Sequence, residues 1–387
     1  MRFPEFTEPW ETAKLGAIAE FSKGTGISKE QRSETGLPCI LYGELYTTYT
    51  NEVIEDVVSK TDLDPTDLVK SQKNDVIIPS SGETAEDIAT ARCVTSDNVL
   101  LGGDLNIIRL VEPNDGRFMS YQLNGIRKYD IAKIAQGVSV VHLYGGDLKM
   151  LSVTFPQSPE QKKIADCISL LDRRISVQIG LINKLESLIS GITLSIMKSD
   201  DCESIRLSEL LTERNEVNTA QYEVYSVSVS QGVVNQVEYL GRSFAAKDTS
   251  NYNVVHYGDI VYTKSPTGDF PYGIVKRSNQ AKPVAVSPLY GVYIPASNDI
   301  GCFLHYYFCN AVSTKNYLHK LIQKGAKNTI NITNQRFLEN TIKVPNAEKL
   351  AIVVKLLNQL SVKKQRAEDL LALYRKQKQH LLSQMFI

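Results

Sequence analysis

The sequence has no uninterrupted apolar run approaching the ~18 residues a membrane-spanning helix needs. Its amino-terminal stretch, Met1 to Trp10, lacks the apolar core of a secretion signal and carries Glu5 and Glu8 instead. Six cysteines, at 39, 93, 167, 202, 302 and 309, show no paired spacing. They read as reduced thiols of a cytosolic protein, not as a disulfide framework. Net charge is lacking too: 43 basic side chains balance 43 acidic ones, which weighs against unaided binding to a polyanion. The expectation is a soluble, cytoplasmic chain with no membrane partner. Its 387 residues provide for two or three domains with cores of their own.

Catalytic signatures are also missing. Gly24-Thr25-Gly26-Ile27-Ser28-Lys29 lacks the glycine-lysine-serine/threonine ending of a phosphate-cradling loop. Phe21-Ser22-Lys23-Gly24-Thr25-Gly26 faintly resembles the glycine loop of adenosylmethionine-dependent methyltransferases. A helix-like amphipathic segment precedes it where a strand is required, and no Asn/Asp-Pro-Pro-aromatic tetrapeptide follows anywhere. Cys302, His305 and Cys309 fall on one helical face, but Phe303-Leu304 and Tyr306-Tyr307-Phe308 around them mark a core helix, and a zinc site needs a fourth ligand. Asp64-Pro65-Thr66-Asp67 with Lys70 reads more simply as a turn than as a nuclease site. The five histidines pair with no nucleophile visible in the sequence. The chain is therefore expected to be non-catalytic, with no cofactor or metal of its own.

What is present is a plan stated twice. Gly137-Val138-Ser139 leads to Phe155-Pro156 and then Pro159-Glu160-Gln161. Gly325-Ala326-Lys327 leads to Val344-Pro345 and then Ala347-Glu348-Lys349. Asp75-Val76-Ile77 and Asp259-Ile260-Val261 hold matching places, as do aromatic helices predicted over 118–134 and 302–323. Each half closes on a long helix. In 158–198 the apolar positions Ile168, Leu171, Ile175, Ile182, Leu185, Ile189, Ile192 and Ile196 alternate three and four apart, with only Gln178 interrupting the seam; in 346–386 the seam is Val353, Leu356, Leu360, Ala367, Leu370, Tyr374 and Leu381. Neither stripe can stay wet, and antiparallel pairing of the two is the economical solution. The alternative is a pair of coiled coils that recruit other proteins. The expected fold is α+β: two similar mixed α/β domains, 1–157 and 200–345, separated by long coiled-coil-like helices at 158–199 and 346–387.

Charge is distributed unevenly. Residues 1–120 hold 11 basic and 21 acidic side chains, whereas 235–387 hold 20 basic and 9 acidic. The basic second half could face phosphate, and the first half would need a partner's positive charge to hold DNA. Candidate DNA-reading residues in the first half are Tyr42 and Tyr46 in an aromatic stretch, with Lys133, Ser139 and His142 around the glycine-led loop. In the second half they are Lys264, Thr267, Lys327, Asn328, Asn331 and Thr333. These side-chain types reach base edges and phosphates, though polar loop residues mostly meet only water.

The chain resembles the specificity subunit of a type I restriction-modification system. The resemblance rests on Phe155-Pro156 with Pro159-Glu160-Gln161-Lys162-Lys163-Ile164, on Leu171-Asp172-Arg173-Arg174-Ile175, on Lys14-Leu15-Gly16, on Leu41-Tyr42-Gly43-Glu44-Leu45-Tyr46, on the loop 75–84 and on Leu381-Leu382-Ser383-Gln384-Met385-Phe386. It departs in the second half, where Glu348-Lys349-Leu350 replaces the glutamate-glutamine pair and no aspartate precedes Lys363-Lys364. The resemblance implies two target-recognition domains, each reading one half of a split site on double-stranded DNA. It implies long helices serving as ruler and as platform for two methyltransferase subunits, joined by restriction endonuclease subunits. S-adenosylmethionine, ATP and Mg would belong to those partners. The competing class is a non-enzymatic coiled-coil scaffold without DNA readout.

Overall fold

In this computed structural model residues 2–199, 201–242, 245–324 and 330–386 are described, with backbone alone at 323, 324, 330 and 331. The chain divides into two compact units, residues 1–179 with 369–387, and residues 180–368.

The first unit is built on a five-stranded sheet in the order Ala19–Lys23, Leu105–Leu110, Val76–Pro79, Arg92–Val94, Val53–Ile54. All neighbours are antiparallel except Val53–Ile54, which runs parallel to Arg92–Val94. The runs Val76-Ile77-Ile78 and Ile107-Ile108 are continuously apolar because both faces of the sheet are covered. Ile77 and Ile107 point into a core with Ile40, Leu45 and Leu101. Val76, Ile78 and Ile108 point into another with Phe118, Tyr121 and Ile164, as the two-residue period of a strand requires. A three-stranded sheet, Ser59–Thr61, Leu37–Ile40 and Leu100–Leu101, lies alongside in sequence. The helix predicted over 118–134 is two helices, Gly116–Asn124 and Lys128–Ile134, broken at Gly125. Residues 14–21, read as one helix-like stretch, form a single helical turn, Leu15–Ile18, followed by the strand Ala19–Lys23. The glycines after that strand still open no helix; a 3-10 turn at Lys29–Gln31 follows.

Strand Ser152–Phe155, paired with Glu11–Lys14, leads into the first long helix, Ser158–Met197. Its first turn is fastened by buried polar groups. Glu160 accepts from Arg2 Nε and Nη2, each at 2.7 Å, and from Trp10 Nε1 at 3.4 Å. Gln161 accepts from the Asp115 backbone N–H at 2.9 Å and donates to the Pro156 carbonyl at 2.8 Å. Three turns on, the Tyr121 hydroxyl donates to Asp172 Oδ2 at 2.7 Å, and Lys378 of the second long helix, Ala347–Gln384, ion-pairs with Asp172 at 2.6 Å and also with Glu52. Within this unit the two long helices run antiparallel, Asp172 beside Lys378 and Arg174 beside Tyr374.

The second unit carries a four-stranded antiparallel sheet, Leu211–Glu213, Gly291–Pro295, Ile260–Thr263 and Ile274–Arg277. Here too the faces alternate: Ile260, Tyr262 and Tyr293 enter one core and Val261, Ile274 and Val292 another. Phe337 sits among rings, 4.7 Å from Tyr262 and 5.0 Å from Tyr293. The helix predicted over 302–323 is Asn298–Cys309 and Ala311–His319, because Asn310 leaves the helix and caps the next by accepting from the Ser313 N–H at 2.9 Å. Strand Thr341–Pro345, paired with Cys202–Arg206, leads into the second long helix. Lys349, where the first helix has Gln161, donates to Ser199 Oγ and Asp201 Oδ2, each at 3.0 Å. In this unit also the helices run antiparallel, with Lys364 2.7 Å from Glu186.

An 18-residue window of the first long helix has a mean hydropathy of 1.3 and is 22% buried, so length and composition alone would let it cross a membrane. Counting unbroken apolar runs misses this, since Lys184 and Glu186 interrupt the run without lowering the average much.

One local arrangement occurs in each unit. Asp75, 1% exposed, accepts from Arg109 Nε at 2.9 Å and Nη2 at 2.8 Å and from the Gln72 N–H. Asp259, 2% exposed, accepts from Arg214 Nε at 2.7 Å and Nη2 at 2.9 Å and from the His256 N–H. The residue before each aspartate, Asn74 or Gly258, has positive φ, 81° or 93°.

Candidate nucleic-acid interface

In the first unit the helix Lys128–Ile134 leads to a narrow ribbon. Gln136 and His142 exchange backbone hydrogen bonds of 2.8 and 2.7 Å, and Val141–His142 pairs with Ser81–Gly82. Ser139 lies exposed at the ribbon's tip. His142 is half-buried at its base, its ring stacked 6.3 Å from that of Tyr144. The Ser81 hydroxyl donates to Asp104 Oδ1 at 3.3 Å and is 3.2 Å from His142 Nδ1.

Asp104 in turn lines a cleft of about 770 Å³ with Tyr42, Tyr46, Lys29, Arg32 and Glu83. Tyr42 and Tyr46 are each 36% exposed, so their rings are available for stacking. Partial burial pushes the Tyr46 hydroxyl up, and Tyr42, Glu83 and Asp87 add to the shift. It stays a neutral donor and acceptor at physiological pH. The structure thus brings Tyr42, Tyr46 and His142 onto one surface, linked through Ser81 and Asp104. Lys133 stands apart on the exposed side of its helix, its ammonium 4.2 Å from the Tyr129 ring.

In the second unit burial pulls the Lys264 ammonium down, while Glu213 acts to keep it charged. Glu213 Oε1 accepts from Asn334 Nδ2 at 2.8 Å. Thr333 is the neighbouring exposed residue, and its hydroxyl caps the turn Asn334–Phe337 by accepting from the Arg336 N–H at 3.2 Å. Glu213 thus acts on Lys264 and holds Asn334, the residue after Thr333. Thr267 lies exposed in a tight hairpin turn closed against Phe270. Lys327 and Asn328 lie outside the described residues, and Asn331 is described by its backbone alone. Tyr262, matched by sequence to the tyrosine stretch of the first half, is 1% exposed and belongs to the core.

Sequence reasoning passed over Ser81, Asp104, Tyr144 and Glu213. Ser80-Ser81-Gly82 and Gly102-Gly103-Asp104 were legible only as polar turns between strands. Their part in the surface arises when Val141–His142 pairs with Ser81–Gly82, a contact distant in sequence. The weaker catalytic readings find no support: Asp64 caps a turn by accepting from the Thr66 N–H at 3.0 Å. Among the described residues no three His, Cys, Asp or Glu side chains gather as a metal site would need.

The surface around His142 falls within residues 7–187, which match the family model for the type I restriction modification DNA specificity domain. Over that span the chain is similar to this family. The match covers almost all of residues 1–179 of the first unit and runs into the first long helix. The whole chain is similar in fold to an S subunit of a type I restriction-modification system from M. genitalium. The TM-score is 0.67 at 15% identity, over 100% of this chain and 99% of that one. A chain from a structure of complex assembly and conformational transition in a type I R-M system is also similar, with a TM-score of 0.51 at 14% identity, over 98% and 97%. At these identities the likeness is one of fold. No curated protein matches the sequence.

Proposed function

We propose that this chain is the DNA-reading, non-catalytic specificity subunit of a type I restriction-modification complex. The observation that carries the reading is the coincidence of the specificity-domain match, residues 7–187, with the surface of Tyr42, Tyr46, His142, Ser81 and Asp104. The recurring aspartate–arginine clamp and the strand that leads into each long helix support an internal repeat, so the second unit is the second target-recognition domain. Each domain reads one half of a bipartite site, and the long helices, paired as a coiled coil, set the length of the unread spacer. Aromatic faces stack or pack in the groove, and Asp104 and Glu83 accept from exocyclic amines of cytosine or adenine. The acidic first stretch of the chain cannot hold phosphate by itself, so two methyltransferase subunits supply the missing positive charge. Those subunits bring S-adenosylmethionine, and restriction endonuclease subunits bring ATP and Mg. The assembly works in the cytoplasm.

The test is a genome-wide map of methylated adenine in the source cell with and without the gene. A gapped two-part motif that vanishes on deletion supports the reading. A stable complex of this chain with partner proteins that selects no DNA sequence would establish the scaffold reading instead.

A further inference from the structure

We propose that the ribbon 136–142 enters the major groove and that Val138 at its tip contacts the 5-methyl group of one thymine in the first half-site. The proposal rests on the specificity reading above and names the base feature that this part of the surface takes. Val138 is 97% exposed and Val140 53%. The shape of the tip is fixed: Gly137 has a φ of 123°, and a Cβ there would lie 2.1 Å from the Val140 carbonyl oxygen. The two backbone hydrogen bonds between Gln136 and His142 close the ribbon below it. A two-stranded ribbon fits the major groove, where the thymine methyl is the one apolar feature on a base edge.

Charge selects the same segment. From residue 134 to 146 there is no Asp, Glu, Lys or Arg, whereas residues 1–120 carry 21 acidic against 11 basic side chains. An acidic domain approaches a polyanion at least cost through its uncharged part, and this is it. The groups behind the tip are polar: the half-buried His142 ring, the Tyr144 ring at 48% exposure, and Asp104 held by Ser81. A side chain wedged between base pairs in the minor groove is the other use of an apolar tip. Such wedges are mostly longer or flatter than valine, so the short branched side chain favours a methyl contact.

The complex that the tagged full chain brings from its own cells is offered duplexes of randomised sequence, and the bound DNA is sequenced. Each thymine of the selected site is then exchanged for deoxyuridine, which lacks only the methyl. For the wild-type complex one exchange in one half-site should weaken binding several-fold. Val138→Ala should weaken binding to the thymine duplex roughly tenfold, as expected for two methyl groups withdrawn from an apolar contact, and should be indifferent to that same exchange. Val138→Thr, which keeps one methyl, should fall between. Thermal unfolding of all variants should match wild type, since the side chain touches nothing in the free chain. Val138→Ala binding as tightly as wild type, or remaining as sensitive to every exchange, overturns the methyl contact while leaving the specificity reading intact. Bending of the duplex by wild type with no methyl dependence overturns it in favour of a wedge. A wild-type complex that selects no sequence overturns the underlying reading itself.

Discussion

Arg109 grips Asp75 through two parallel hydrogen bonds, at 2.9 and 2.8 Å, where the strand Val76–Pro79 enters the core. The carboxylate is almost fully buried, so it has little access to water and depends on the guanidinium and the Gln72 N–H for its charge. The mutual preference is reflected in Arg109, whose pKa is raised chiefly by the hydrogen bond it donates to Asp75, against the opposing effect of burial. The pair anchors the central sheet of the first unit, as Asp259 and Arg214 anchor that of the second.

Removing Arg109 should therefore cost stability without touching the surface of Tyr42, Tyr46 and His142. Arg109→Ala leaves a buried, half-satisfied carboxylate and should destabilise the protein by about 3 kcal/mol. Arg109→Lys should recover only part, because a lysine cannot form the bidentate pair. Urea unfolding of the full chain measures both, and an unchanged midpoint for Arg109→Ala would show the clamp to be dispensable.

Asp172 predicts a pH effect. Burial raises its carboxyl, Glu52 adds to the rise, and Lys378 and Tyr121 oppose it without cancelling it. The folded chain thus holds this proton more tightly than the unfolded chain. The stability it contributes is complete below the ordinary aspartate value and is lost as pH rises through the raised one. Asp172→Asn cannot ionise and keeps a hydrogen-bond acceptor for Tyr121, so its unfolding midpoint should fall less than wild type's over that interval. Superimposable pH profiles for the two proteins would refute the assignment.

Cys309 should be the most reactive of the six thiols. Protein packed around the sulfur pushes it up, even though the residue keeps solvent access, but His305 Nε2 at 3.6 Å and Lys276 Nζ at 3.3 Å outweigh that and bring it down to about 6. The residue is exposed, while Cys39 is buried and pushed up to about 11 and Cys93 is buried and pushed up further. Brief alkylation at neutral pH followed by peptide mass spectrometry should label Cys309 first. Lys276→Met should slow that labelling several-fold; equal rates in the two proteins would remove the lysine from the account.

Exchange of residues 1–157 for the corresponding domain of a type I specificity subunit tests the proposed modular reading. One half of the methylated motif should change and the other should persist with the same spacer, each misread base pair costing about 1–3 kcal/mol. A change in both halves, read by methylation mapping, would sink the modular interpretation.

Much of the fold was legible because its signals are local. The three-and-four spacing of Ile182, Leu185, Ile189 and Ile192 marks a helix wherever it ends up, and the long helices appear at Ser158–Met197 and Ala347–Gln384. The repeated Asp75-Val76-Ile77 and Asp259-Ile260-Val261 likewise form equivalent strand openings. The breaks at Gly125 and Asn310 were missed because the aromatic pattern runs through both, and the kinks come from a glycine and from an asparagine side chain that caps the following helix. The candidate surface was legible only in part. Tyr42, Tyr46 and His142 have types that reach DNA, but Tyr262 has the same type and is core.

The sequence by itself determined the long amphipathic helices and the uneven charge. Both follow from side-chain chemistry and periodicity, which act over a few residues. Only the tertiary structure decided that Glu160, Gln161 and Asp172 are buried fasteners, with Arg2, Asp115, Tyr121 and Lys378 as partners. It alone joined His142 to Ser81 and Asp104, and it alone left Val138 bare at the end of a closed ribbon. These are pairings between residues remote in the chain, fixed by which strands meet and which faces cover each other, and a pattern of neighbours along the sequence holds no record of them.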